Sequence, residues 1–503
     1  MSRRETTHGQ QLFDGTARGF AAEALLVPVG ILTAAFLSRR FGPDGYGLLT
    51  LVSVVVVLVE SNVAAALSRP AIKAVCEAGD WRAVGSNVLR LYLLAGVGLM
   101  MLLWTSAAPL AALLGEPALT SYLRIFALDV PVFCLAQAHR SIILGLGRYR
   151  ERAYATVARW VARLVLVVLF VELGGTLVAA IYGSICASLV ELLVCRLYVR
   201  PRLFGRGDYP LRQLSGDALP LVLSALLMSL YQRLDLLLLK SLGATVAEAG
   251  FYAIAQNLSL LPTLLTFSLA PALLSTLSRA LRDGDDMAAR AIARQAMRAV
   301  VLLSPLAALM AGAAPEIVGL IFGPQFLDAA VLLRPLIFGA LALVLVAVTT
   351  TIMAAAGRPR WTLHVAWPLA LSACAGHLLL IPRAGAAGAA WVTTACACAG
   401  ALVTVALVGR LWHTLPPART LARTALVSLL AYALAALIPS PGLLLVLKLP
   451  VACACVVVAL VLLGEFSESE LGGARALLMR RSVEPAREVI NVTGATGTTG
   501  GAT

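Results

Sequence analysis

Charge is scarce in this chain. Only 13% of its 503 residues are Asp, Glu, Lys or Arg, whereas 60% are apolar, and the mean hydropathy is +0.89. A water-soluble globular chain cannot hide that much apolar surface, so the composition specifies an integral membrane protein. Histidine is rarer still, with five in all; His139, His364 and His377 are isolated, and packing or interfacial hydrogen bonding explains them better than proton coupling. No disulfide framework is visible. Of the nine cysteines, Cys134, Cys186, Cys195, Cys374, Cys396, Cys398, Cys453 and Cys455 fall inside apolar runs, and Cys76 falls in a connection assigned to the cytoplasm. Cys396/Cys398 and Cys453/Cys455 are spaced to lie on nearly opposite faces of a helix, which suits small packing residues and not a metal site. No Walker loop, HExxH helix or nucleophile elbow occurs, so nothing supports ATP hydrolysis or covalent catalysis, and the chain is not read as an enzyme. The net charge of +14 is dispersed as small groups of Arg between apolar runs, with no basic domain to serve as a nucleic-acid groove. A cleavable signal is missing too: Met1–Arg18 is polar and the apolar run behind it is too long for a signal core, so the first helix is expected to remain as an anchor.

What the chain has in quantity is apolar runs. A helix needs about 20 mostly apolar residues to cross a bilayer, and fourteen windows qualify, near 19–37, 47–67, 90–113, 120–144, 155–173, 175–196, 217–239, 249–276, 298–319, 331–356, 361–381, 385–409, 421–438 and 442–463. The fourth and fifth are interrupted by Arg124, Asp129, Arg159 and Arg163. Orientation follows from charge, because Lys and Arg concentrate on the cytoplasmic side of membrane proteins. With a cytoplasmic N-terminus, most of the Lys and Arg fall inside, among them Arg3, Arg4 and Arg18, the run from Arg140 to Arg163, and the run from Arg279 to Arg298. The opposite face has only Arg39, Arg40, Lys240, Arg334 and Arg383. Both termini are therefore expected in the cytoplasm. Pro28, Pro131, Pro262, Pro305 and Pro368 lie within spans, where each can kink a helix.

The first half of the chain is echoed in the second. LSRRFGPDGYGLL, starting at Leu37, and Lys240–Ala253, KSLGATVAEAGFYA, both follow an apolar run, turn on glycine and enter the next run through glycine and an aromatic. Ala107-Ala108-Pro109 leading to Leu114-Gly115-Glu116-Pro117 recurs as Ala313-Ala314-Pro315 leading to Phe322-Gly323-Pro324; Gly147-Arg148-Tyr149-Arg150 recurs as Gly357-Arg358-Pro359-Arg360; and the turn at Gly174-Gly175 recurs around Gly385. These matches run in order at a spacing of roughly 200–210 residues, which is six spans, an even number that keeps the two copies parallel in the membrane. The expected architecture is all-α, with about 14 transmembrane helices in two parallel six-helix lobes plus a C-terminal helix hairpin. The expected boundaries are a cytoplasmic N-terminus at 1–18, an N-lobe at 19–198, a linker at 199–216, a C-lobe at 217–412, spans thirteen and fourteen at 420–463, and a cytoplasmic tail at 464–503. An amphipathic helix is expected at Ser469–Arg481 and disorder at Thr493–Thr503.

RRFGPDGYGLL at the first turn, YQRLDLLLLKSLG followed by AGFYAIAQ across spans seven and eight, AAGRPRW after span ten and PRAGAAGAAWVTT entering span twelve together resemble the polysaccharide biosynthesis and export family. This family includes O-antigen-type lipid-linked oligosaccharide flippases and belongs to the multidrug/oligosaccharidyl-lipid/polysaccharide exporter superfamily. The resemblance covers roughly Arg18 to Gly464. It implies a multi-pass protein of the bacterial cytoplasmic membrane that moves an undecaprenyl-pyrophosphate-linked glycan between leaflets by alternating access of two lobes. It also implies membrane lipids as neighbours and a glycan polymerase or other assembly protein as a partner. No cofactor is expected beyond coupling to H+, Na+ or the membrane potential. Two rivals from the same superfamily are a drug/cation antiporter, disfavoured by the extra hairpin, and a peptidoglycan-precursor flippase, whose turn motifs look less close. A multispan glycan polymerase or ligase would need a larger outward loop than any present.

Ionisable groups inside a membrane are costly and usually face a cavity or one another. Arg18 and Glu23 flank the inner end of span one, Glu60 and Asn62 the inner half of span two, and Glu191 sits similarly in span six. Toward the outer half lie Arg124 on span four, Arg233 and Asp235 on span seven, and Gln256 and Asn257 on span eight. A pyrophosphate needs Arg to offset its charge, and glycan hydroxyls need amides and carboxylates. This set is the candidate substrate cavity; the bland alternative is that Arg233 and Asp235 only snorkel, cap or pair within the bundle.

Overall fold

A computed structural model of the protein describes residues 25–78, 80–202, 233–358, 360–412, 414–440, 442 and 444–466. Arg18, Glu23, the expected tail helix and the expected disordered end lie outside these residues. Everything regular among the described residues is helical. In order, the helices are α1 (Leu26–Glu77), α2 (Trp81–Leu113), α3 (Leu119–Phe126), α4 (Asp129–Gly145), α5 (Tyr149–Gly174), α6 (Leu177–Tyr198), α7 (233–241), α8 (Val246–Ser259), α9 (Leu264–Arg282), α10 (Asp286–Val301), α11 (Ser304–Gly312), α12 (Ala314–Ile321), α13 (Asp328–Ala355), α14 (Arg360–Trp412), α15 (Ala418–Leu437) and α16 (Leu444–Leu462). Among the described residues, nine helical stretches are long and apolar enough to cross a membrane, and the chain is an all-α polytopic membrane protein.

The interruptions have local causes. α1 and α14, of 52 and 53 residues, are each two helical runs joined at a glycine with non-helical angles, Gly42 at φ 68° and Gly385 at φ 53°. A residue with a Cβ seldom adopts these left-handed φ values. Both sites match turns read from the repeat, so α1 and α14 each account for two of the fourteen sequence windows. Beyond Gly385 the path doubles back: a Cβ on Gly376 would stand 2.7 Å from Val392, on the other side of the turn. Span eight is divided at the 3-10 turn Leu261–Thr263, and span nine at residues 302–303. Pro262 and Pro305 sit at the start of the segments that follow, where a missing N–H is tolerated.

Two helices organise the packing. α4 lies against α1, α2, α5 and α6, while α13 lies against α8, α9, α10, α11, α12 and α14. They correspond to spans four and ten, six apart, and they continue the sequence echo: Leu123-Arg124 sits just before α4 and Leu333-Arg334 on α13. Among the described elements, the broadest contact between the helices before residue 203 and those after residue 232 is α1 against α8. There the two glycine-aromatic motifs meet. A Cβ on Gly47 would stand 2.1 Å from the Val246 carbonyl oxygen, and one on Gly250 would stand 2.6 Å from the Pro43 carbonyl oxygen. Tyr46 of the first motif and Phe251 of the second both meet Phe326 edge-on, at centroid distances of 6.2 and 5.8 Å. Asn257 donates to the Tyr46 hydroxyl at 3.1 Å, Gln325 to the Ser38 carbonyl at 3.3 Å, and Arg39 Nε to the Ile321 carbonyl at 2.9 Å. The joint therefore sits at the end of the bundle that carries few basic residues.

The last two helices are fastened to span nine at both ends. Lys448 on α16 pairs with Glu316 on α12 at 2.7 Å and also donates to the carbonyls of Ala435 and Ile438. At the other end the buried carboxylate of Glu465 meets Arg298 on α10 at 3.1 Å and Arg423 on α15 at 3.3 Å. Between them a Cβ on Gly312 would stand 2.6 Å from the Tyr432 carbonyl oxygen, so α11 and α15 approach backbone to backbone.

Candidate functional site

The charges that interrupt spans four and five face one another. Glu60 comes from α1, Asp129 and Arg140 from α4, Arg159 and Arg163 from α5, and Glu191 from α6. Arg159 reaches Glu191 Oε2 at 3.1 Å and Glu60 Oε2 at 3.8 Å. Arg140 Nη1 stands 3.1 Å from Glu191 Oε1, without the alignment of a hydrogen bond. Its other terminal nitrogen donates to Gln137, whose amide nitrogen in turn donates to Ser68 at 2.8 Å. The Phe133 ring underlies both guanidiniums, 5.7 Å from that of Arg140 and 4.9 Å from that of Arg159. Such stacking holds Arg by its face and leaves its edge for anions. Glu191 is wholly buried, and the side chains of Arg140 and Arg159 are 18% and 14% exposed.

The cluster is incompletely satisfied. Arg163 lies over the Trp160 ring at 5.8 Å, and its buried Nε has no hydrogen-bond acceptor among the described residues; Asp129 Oδ1 and Asn62 Oδ1 are likewise buried without a donor. Buried polar atoms in native proteins almost always have partners, so several orphans in one place ask for a ligand, a water or a moving group. A guanidinium with a spare donor beside carboxyl and amide oxygens with spare acceptor capacity has the chemistry to meet an anion and hydroxyl groups together.

Of the expected site residues, Glu60 and Glu191 belong to this first cluster, whereas Asn62 turns its amide nitrogen to the Leu58 carbonyl of its own helix. Asp235 and Gln256 come together in a second, between α7, α8 and the later half of α14. Asp235 accepts from the Tyr252 hydroxyl at 2.7 Å, from Gln256 Nε2 at 3.0 Å and from the Leu236 amide at 2.8 Å. The Tyr252 hydroxyl also lies 3.2 Å from Thr393 Oγ1. Asn257 points instead to Tyr46 across the joint. Arg233 is partly buried and makes no ion pair among the described residues. Arg124 is exposed on α3, over the Trp104 ring at 6.0 Å, and meets none of the other expected residues.

Sequence reasoning counted Arg140, Arg159 and Arg163 with the cytoplasmic charge, whereas the structure places them inside α4 and α5 with carboxylates opposite. Cys76, read as a loop residue, ends α1 and donates to the Gly145 carbonyl at 3.2 Å. The available signal was spacing. Arg159 and Arg163 are four apart, as are Phe133 and Gln137, which places each pair on one helix face. Acids at matching depth on spans two, four and six supplied the counter-charge.

The sequence profile of the family described as "Polysaccharide biosynthesis protein" matches residues 36–331. No curated protein matched the chain. Among solved structures, that described as the lipid II flippase MurJ in an inward closed conformation shares the fold with a TM-score of 0.69 at 12% identity, covering 91% of this chain and 97% of that one. An inward-facing multidrug resistance MATE family transporter of the MOP superfamily gives 0.66 at 17% identity, over 77% of this chain and 94% of that one. A MOP superfamily transporter from Pyrococcus furiosus, described as having a binding pocket of reverse polarity, gives 0.58 at 16% identity, over 80% and 95%. The fold is shared with these transporters, and from the profile match over more than half its length the chain belongs to the polysaccharide biosynthesis protein family.

Proposed function

We propose that this protein translocates a polyprenyl-pyrophosphate-linked oligosaccharide across the bacterial cytoplasmic membrane by alternating exposure of a polar cavity between its two helix groups. The observation that carries the reading is Arg163, whose buried Nε has no acceptor among the described residues, beside Asp129 Oδ1, which has no donor there. A pyrophosphate in a poorly hydrated site must be matched by fixed positive charge. Arg163 receives it, with Arg18 and Arg233 as further cationic steps along the path. Glu23, Glu60, Asn62, Asp235, Gln256 and Asn257 offer the acceptors and donors that glycan hydroxyls need. Arg124, stacked on an exposed ring, fits an interfacial anchor better than a cavity lining. The family description supports the glycan, and the likeness of fold to a protein described as a lipid II flippase supports a lipid carrier. In this reading no chemistry is performed on the cargo, an ion gradient or the membrane potential supplies the energy, and both termini face the cytoplasm. A glycan polymerase or assembly protein takes the product.

Reconstitution tests the reading. In proteoliposomes loaded with a fluorescent polyprenyl-pyrophosphate oligosaccharide on one leaflet, wild-type protein should expose the glycan to a glycosidase added on the other side. Likeness to the MATE transporter favours drug/cation antiport as a second reading. Ethidium counterflow without lipid movement would replace the first reading with the second.

A further inference from the structure

One cavity lies outside both polar clusters. It has a volume of about 360 Å³ and opens between α1, α2 and α7, lined by Val55, Val59, Leu103, Leu114, Leu238 and Ser241 among others. Its walls come from both helix groups, so it exists only while they are joined at this end. Among small-ligand pockets, commonly about 300–1,000 Å³, it is at the small end. It is too small and too apolar for a glycan head, but suits a length of hydrocarbon chain.

An ion pair stands next in the chain to two of the lining residues. Ser241 follows Lys240, and Leu114 lies two residues before Glu116. Lys240 Nζ stands 3.8 Å from Glu116 Oε2 and 3.3 Å from the Ala244 carbonyl oxygen, with the side chains of Lys240 and Glu116 9% and 27% exposed. At that distance the pair is about 1 Å longer than a charge-assisted hydrogen bond. It links the end of span three to the end of span seven, one from each helix group. A cation and an anion side by side over an apolar slot complement a zwitterionic head group on a chain. A phosphodiester satisfies Lys240, an ammonium satisfies Glu116, and the net charge of the rim remains zero. A pyrophosphate carries more negative charge than a single lysine, already facing a carboxylate, can offset.

We propose that the cavity between α1, α2 and α7, with Lys240 and Glu116 at its mouth, binds one phosphatidylethanolamine-type lipid from the adjoining leaflet, its acyl chain in the slot and its zwitterionic head across the ion pair. The lipid is not the cargo. Because both helix groups contribute to the site, the bound lipid stabilises the joined state of this end and must leave, or lose its head-group contacts, when the groups separate.

Native mass spectrometry of the full-length protein, released from nanodiscs containing equal amounts of phosphatidylethanolamine and phosphatidylglycerol, reads the retained lipid. Wild-type protein should keep one phosphatidylethanolamine in preference to phosphatidylglycerol. Lys240→Gln should lower that retained fraction about tenfold, the effect expected for losing one hydrogen bond to a charged group. Leu238→Trp, which fills the slot, should abolish retention, whereas Leu402→Trp, on a side chain 72% exposed on α14, should leave it unchanged. If Leu238→Trp fails to fold, Lys240→Gln carries the test alone. Equal retention of both lipids by the wild type, an unchanged pattern in Lys240→Gln, or displacement by equimolar polyprenyl phosphate would each overturn the proposal.

Discussion

Arg163 and Glu191 are expected to fail in opposite ways when replaced. The Glu191 carboxylate is fully buried and lies 3.1 Å from both Arg140 and Arg159. At an effective dielectric of about 20, each contact is a gross attraction of about 5 kcal/mol, largely offset by the cost of desolvating the charges. Removing the carboxylate charge leaves two guanidiniums facing each other in a dry site, and breaking a buried pair in this way costs about 3–5 kcal/mol. Arg163 forms no ion pair among the described residues; the Glu60 and Asp129 carboxylates act on it only from a greater distance. Its replacement gives up the contact with Trp160, about 0.5–2 kcal/mol, and a longer-range attraction to Glu60 and Asp129, and recovers part of the cost of burying a guanidinium. Glu191→Gln should therefore lower the thermal unfolding midpoint of purified protein clearly, and Arg163→Gln should scarcely move it. In the lipid-flipping assay the order reverses in meaning: Arg163→Gln should stop transport in a well-folded protein, and Arg163→Lys should restore only part, since Lys lacks the planar two-point contact. Wild-type flipping by Arg163→Gln, or a loss of stability equal to that of Glu191→Gln, would refute the assignment of Arg163 to cargo.

Three further outcomes follow from the packing. Gly47→Ala should hold this joint apart and lower flipping, because a Cβ on Gly47 would stand 2.1 Å from the Val246 carbonyl oxygen; wild-type flipping by Gly47→Ala would show that this joint need not close. Lys448→Met should destabilise the protein by about 3–5 kcal/mol, and Lys448→Met with Glu316→Gln by less than the sum of the single changes, as a denaturation cycle would read. Reporter fusions after Leu114, Gly174 and Pro441 should report the outer side, and those after Gly205, Gly284 and the C-terminus the inner side. An inverted signal at Gly284 would break the parallel arrangement of the two halves.

Much of the architecture was legible because membrane crossing imposes a coarse, strong pattern. Apolar runs of sufficient length and the glycine turns at Gly42 and Gly385 survive as structural features. The two glycine-aromatic motifs were readable as an echo, but not as surfaces that touch each other, since sequence symmetry does not say which copies meet. The candidate site was harder to read. Arg159 and Arg163 looked like interruptions of a span because hydropathy averages over all faces of a helix, whereas the cost of a buried guanidinium depends on what stands opposite it. Glu60 was found by its isolation in an apolar run. Arg140 was hidden by the basic loop that follows it, and Arg124, equally isolated in sequence, turned out to be exposed.

The joint between α1 and α8 has a further consequence for how the molecule can work. Gly47 rests against the backbone of Val246 and Gly250 against the backbone of Pro43, so at these two points the helices meet with no side chain between them. Contacts of this kind gain dispersion energy through closeness. Separating the two glycine contacts themselves strands no donor or acceptor, in contrast to the ion pairs that hold α16 to α12. Adhesion of that sort is short in range and vanishes within an ångström or two of parting. The seam should then behave as a snap fastener, firm when shut and free once started, and small residues at positions 47 and 250 are what allow repeated closing without wear on a polar network.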